Sequence, residues 1–106
     1  MKDLMGMLKQ VQEMQTRLQK VQEELAAMEI EGQAGAGLVR VTLNGKSEMR
    51  KLRIDPTLMK PEETEILEDL VVAAVQDARS KVEMVLQAKA QEVSGGLPLP
   101  PGLKLF

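Results

Sequence analysis

Residues 39–56 read VRVTLNGKSEMRKLRIDP. Val39, Val41 and Leu43 alternate with Arg40, Thr42 and Asn44, the two-residue period of a strand with one face in a core and one in water. Asn44-Gly45 follows, the strongest short-range signal for a hairpin, because both residue types accept the positive φ of a type I′ turn. The return strand then runs from Lys46 to Ile54, with Leu52 and Ile54 on the core-facing parity. Asp55-Pro56 ends it, since proline has no N–H for the ladder and restricts the residue before it. Upstream, Met28, Ile30 and Gly32 alternate with Glu29 and Glu31, which suits a short strand or a frayed helix end. The run GQAGAG over 32–37 then reverses the chain. The expected centre is a three-stranded antiparallel sheet over residues 29–54.

A long helix is expected on each side. Over residues 1–28, Leu4, Met7, Val11, Met14, Leu18, Val21, Leu25 and Met28 recur at alternating steps of three and four. Strict two-in-seven spacing marks a seam that lies along a partner helix, narrower than the stripe of a globular helix. Such a helix spans about 40 Å at roughly 1.5 Å per residue, too long for a compact ball of 106 residues. The molecule is therefore expected to be elongated and oligomeric. After one helical turn over 57–60, Pro61 opens the second helix, residues 61–94, and acids in its first turns suit the positive helix end. Its stripe, including Leu67, Leu70, Val71, Ala74, Val75, Ala78 and Val82, is broad and core-facing. Ala73, Ala74 and Ala78 let another backbone come close. Ser94-Gly95-Gly96 permits a helix end, and residues 95–106 form an extended tail. The fold class is α+β, with one domain over 1–106.

Composition excludes several kinds of chemistry. The chain has neither Cys nor His, so thiolates, disulfides and imidazole are all missing. Three isolated serines, Ser47, Ser80 and Ser94, have no evident base, and no catalytic residue or enzyme activity is expected. The acids Glu62, Glu63, Glu65, Glu68 and Asp69 read as the charged start of a helix instead of a metal site. RVTLNGKS over 40–47 ends like a phosphate-binding loop, but Arg40 stands where the first glycine belongs and strand-like residues continue beyond Ser47. Gly32, Gly35 and Gly37 reverse the dinucleotide spacing and precede a strand, so they read as a chain reversal. No cofactor, metal or small-molecule substrate is expected. No apolar run approaches the roughly 18 residues of a membrane span, and the N-terminus lacks the order of a signal peptide. A cytoplasmic protein without membrane contact is expected.

Charge is unevenly placed. The total is −2 and the pI about 5.2, yet residues 32–54 carry Arg40, Lys46, Arg50, Lys51 and Arg53 against Glu48 alone. Residues 61–92 hold eight acids against Arg79, Lys81 and Lys89. Pairing across the hairpin puts Arg40, Lys51 and Arg53 on the face opposite Val39 and Val41, and a twofold dimer presents that set twice. Lys9, Arg17 and Lys20 on the first helix form a second candidate set. With no Trp or Tyr, and Phe only at position 106, the sheet has no platform for stacking unpaired bases, so single strands are the less expected target; the residues read either as an ordinary solvated sheet face or as one open to duplex phosphates.

GAGLVRVTLNG over 35–45, the IDP of Ile54 to Pro56, LEDLVVAAVQDA over 67–78 and the terminal LPPGLKLF occur in order behind a Met- and Gln-rich helix. Together they resemble the YbaB/EbfC family of bacterial nucleoid-associated proteins, over almost the whole chain. The resemblance implies a tweezer-shaped homodimer with a central sheet and projecting helices. It also implies binding to double-stranded DNA with weak sequence preference, and effects on DNA conformation, nucleoid organisation and gene expression. Val39, Val41, Leu43, Leu52, Leu70 and Ala74 are expected between the two copies. The competing reading is a coiled-coil scaffold or prefoldin-like chaperone subunit, whose helix, hairpin and helix follow the same order.

Overall fold

The computed structural model describes residues 2–94. It comprises α1 (Lys2–Ala27), β1 (Ile30–Ala34), β2 (Val39–Leu43), β3 (Met49–Ile54) and α2 (Thr64–Ser94), with 3₁₀ turns at Pro56–Leu58 and Pro61–Glu63. This is the expected α+β arrangement: an antiparallel sheet ordered β1-β2-β3 between two long helices, in an elongated molecule of 73 × 24 × 16 Å. The ambiguous segment after Met28 is a strand, and the second helix becomes α-helical three residues after Pro61. The tail expected over 95–106 lies outside the described residues. Among those described, no helix is long and apolar enough to cross a membrane.

α2 lies across β1 and β2. Val39, Val41 and Leu43 turn into this layer and are buried with Ala74, Ala78, Val82 and, from the first 3₁₀ turn, Leu58. The helix sits close because alanines meet a glycine. A Cβ at Gly32 would stand 2.3 Å from the Ala78 nitrogen and 2.5 Å from the Ala74 carbonyl oxygen, so only glycine fits beneath this crossing. Gly32 thus serves packing instead of the reversal. That reversal is made by Gly35, Ala36 and Gly37, all at positive φ, and closed by the Leu38 N–H donating to the Gly35 carbonyl.

The core corrects part of the expected contact set between copies. Val39, Val41, Leu43 and Ala74 are 0–2% exposed within one chain, so they have no surface left for a partner. Leu70 stays half-buried. Leu52 is 46% exposed and Met49 50%, because α2 leaves most of β3 uncovered.

The hairpin turn also differs from the type I′ expectation. Neither Asn44 nor Gly45 has a positive φ; Ser47 does, at 64°. The Ser47 N–H donates to the Asn44 carbonyl and the Asn44 N–H to the Glu48 carbonyl, each at 3.0 Å, the pattern of a three-residue loop with a left-handed last residue. Asn44 and Gly45 instead clamp the end of α1. The buried Asn44 amide donates to the Ala26 carbonyl and to Glu48 Oε1, while its oxygen accepts from the N–H groups of Lys46 and Glu48. Gly45 N–H donates to the Leu25 carbonyl at 2.7 Å, an approach that a Cβ would block, 2.9 Å from Leu25 Cα.

Past this clamp α1 runs away from the body. Leu25 is buried and Leu18, Val21 and Met28 are half-buried, whereas Leu4, Met7, Val11 and Met14 are 62, 61, 54 and 42% exposed. Lys89 of α2 ties the junction, with Nζ 3.1 Å from Glu24 and 3.3 Å from Glu92. The hydrogen bond to Glu24, supported by Glu92, raises its pKa above the ordinary lysine value. The helices therefore meet over a short stretch only, not in the long mutual winding that a prefoldin-like subunit requires.

Candidate nucleic-acid interface

Strand parity assembles the candidate site on the sheet face turned away from α2. In register, Gln33, Arg40 and Arg53 form one row across the three strands, and Glu31, Thr42 and Lys51 the next. Arg40 and Arg53 stand directly opposite each other. Like charges at opposed positions destabilise a sheet, so an anion held between the two guanidinium groups would relieve a repulsion built into the register. Arg40 Nη1 lies 3.7 Å from Glu31 Oε1, and its Nε donates to the Gly37 carbonyl at 3.4 Å. Lys51 Nζ is 3.3 Å from Glu29 Oε1. Both pairs are more than half exposed, the setting in which ion pairs contribute at most about 1 kcal/mol, so neither locks its cation away from phosphate. Arg53 makes no ion pair among the described residues.

Glu29, just ahead of β1, and Glu31, within it, lie upstream of the basic segment 32–54. Glu29 and Glu31 sit among Arg40, Lys51 and Arg53, leaving the open face of one chain only mildly cationic. Their alternation with Ile30 and Gly32 was the available signal, because a strand of that parity beside β2 must place them there. The other expected contacts fall elsewhere. Lys46 is exposed in the hairpin loop, and Arg50 stands at the β3 irregularity opposite Thr42 and Leu43, 3.7 Å from Glu48. Lys9, Arg17 and Lys20 are exposed on α1, on an element separate from the sheet face.

The two edges of the sheet are unlike. Asp77 Oδ2 on α2 accepts from the Gln33 N–H at 3.0 Å, Lys81 Nζ donates to the Glu31 carbonyl at 3.0 Å, and the two side chains pair at 3.1 Å. These bonds occupy two of the outward backbone groups of β1, a way to hinder pairing with further strands. The Gln33 N–H, helped by Lys81, holds the Asp77 carboxyl below its ordinary pKa. β3 is the opposite edge, with Met49 and Leu52 exposed beside it. At its end Asp55 accepts from the backbone and hydroxyl of Thr57, and the hydroxyl and backbone bonds lower its pKa.

An elongated sheet-and-helix module with an exposed, mixed but cation-bearing face is the class these features define. The model of the YbaB/EbfC DNA-binding family matches residues 1–97, and the chain belongs to that family. It is 60% identical to a nucleoid-associated protein of Agrobacterium fabrum and 52% identical to one of Rhizobium meliloti. Each match covers 99% of this chain and 98% of the relative. The crystal structure of an uncharacterised Helicobacter pylori protein has the same fold, with a TM-score of 0.74 and 25% identity, over 90% of this chain and 97% of that one.

Proposed function

We propose that this protein binds double-stranded DNA in the bacterial nucleoid as a homodimer with low sequence preference, changing DNA conformation and thereby gene expression. The observation that carries the reading is the opposed pair Arg40 and Arg53, with Lys51 in the next row, on a solvent-facing sheet in a chain of this family. A single open face holds a polyanion only weakly, and twofold repetition supplies six cations on one surface. The uncovered rim of β3 is the place for the second copy, because Asp77 and Lys81 hinder pairing at the β1 edge. Absence of stacking aromatics favours duplex over single strands. Phosphate contacts carry no base information, so preference among sequences is weak. Two faces on one rigid dimer bend or bridge the duplex.

A gel-shift series with duplexes of unrelated sequence tests this. Six phosphate contacts predict a log–log slope of affinity against salt of about −5, similar for every sequence. The triple variant Arg40→Glu, Lys51→Glu, Arg53→Glu is expected to lose binding with the fold intact. Unchanged affinity would move the contacts to Lys9, Arg17 and Lys20, and no binding even at low salt would reject the function.

A further inference from the structure

α1 carries beyond the body an apolar seam that no other described residue covers. We propose that this seam pairs antiparallel with α1 of a second copy, joining two bodies by their arms at an interface separate from β3. The partner's chemistry follows from spacing: Leu4 and Val11, with Met7 and Met14, occupy the two apolar heptad positions, and knobs at this period fit the holes of another helix. Centred near Lys9 and Gln10, an antiparallel pair stacks Leu4 on Met14 and Met7 on Val11, each layer repeated by the twofold axis. It buries the four seam residues that the single chain leaves exposed.

Charge selects the direction. Asp3 and Arg17 flank the seam on the same side, and neither makes an ion pair within the chain among the described residues. In the antiparallel register each Asp3 faces the second copy's Arg17, giving two symmetric pairs, while Lys9 and Lys20 stay on the outer surface. A parallel pair would set Asp3 against Leu8 and Arg17 against Gln22, with no complementary charges, and would crowd both bodies at one end. Two heptads form a short seam, so a single arm pair is weak. Two arms held on one body dimer strengthen it by effective concentration.

The test is sedimentation velocity of the full chain over a concentration series without nucleic acid, on wild type, Val11→Glu, Asp3→Arg, Arg17→Asp and the double reversal. Wild type is expected to form an assembly of twice the mass of the body dimer. Val11→Glu and each single reversal should return it to the body dimer with circular dichroism unchanged, and the double reversal should restore the larger species. Because the chain has no cysteine, Gln10→Cys is expected to cross-link two chains through a short bismaleimide, and Lys9→Cys to do so far less. Overturning results are a wild type of the same mass as Val11→Glu, a double reversal without rescue, or equal cross-linking at positions 9 and 10. The last would mean that the seam is covered by something other than a second arm, the chain's own terminal residues included. Failure of the body dimer itself reads differently, as a wild type of two chains that Val11→Glu splits into monomers.

Discussion

At the residue scale, the hairpin shows how a correct reading of type can rest on a different physical cause. Asn44-Gly45 does mark the reversal between β2 and β3, yet the left-handed backbone falls on Ser47, and Gly45 is needed for the 2.7 Å bond to the Leu25 carbonyl. Local propensity announces that a chain turns; only the packed helix end explains why no side chain is allowed there. Opposite effects on stability follow for neighbouring substitutions. Ser47→Gly removes a left-handed non-glycine residue, which costs roughly 1–2 kcal/mol, and is expected to raise the denaturant midpoint. Gly45→Ala drives a methyl into Leu25 and should cost about 1–3 kcal/mol, as overpacking does. Urea melts of both variants check this; a Gly45→Ala protein as stable as wild type would mean that α1 is not clamped at the loop.

Among the elements, the strand pattern and both helices were legible because each carries its own period, and the alanine run of α2 correctly announced a close crossing. The partner beneath that crossing, Gly32, was not legible, since its requirement comes from Ala74 and Ala78 more than forty positions away. The same holds for the edge of β1, bonded by Asp77 and Lys81 across separations of 44 and 50 residues. The edge bond has a pH signature. The native Asp77 carboxyl titrates below its ordinary 3.8, so its contribution is present above the unfolded value and is lost as pH falls through the depressed native one. Asp77→Ala is accordingly expected to be less stable than wild type at neutral pH, with the gap closing as pH drops below 3.8. Thermal melts from pH 7 to pH 2 measure this, and a gap independent of pH would assign the effect to helix packing instead of the carboxylate.

For the whole molecule the difficulty is charge. A chain of net −2 whose second helix is acidic holds a polyanion firmly only if its cations are gathered on one side and counted twice. The sheet register does the gathering, setting Arg40, Lys51 and Arg53 on the face away from α2; in the proposed dimer a second copy does the counting. In the proposed dimer, the joint at the β3 rim sets both mass and salt response, and Leu52 separates the two readouts. It is 46% exposed within one chain, so Leu52→Glu spares the intrachain core, and it lies on the face opposite Arg53, away from the proposed phosphate contacts. At a dimer interface, however, the new carboxylate is buried without a partner, a cost of several kcal/mol. Sedimentation of this variant is expected to show a species of half the body-dimer mass. The gel-shift salt slope should fall from about −5 to roughly half that, because each face then releases its own counterions alone. A variant that keeps wild-type mass and slope would place the joint between copies elsewhere than β3. Reduced mass with an unchanged slope would mean that a single face already makes all the phosphate contacts.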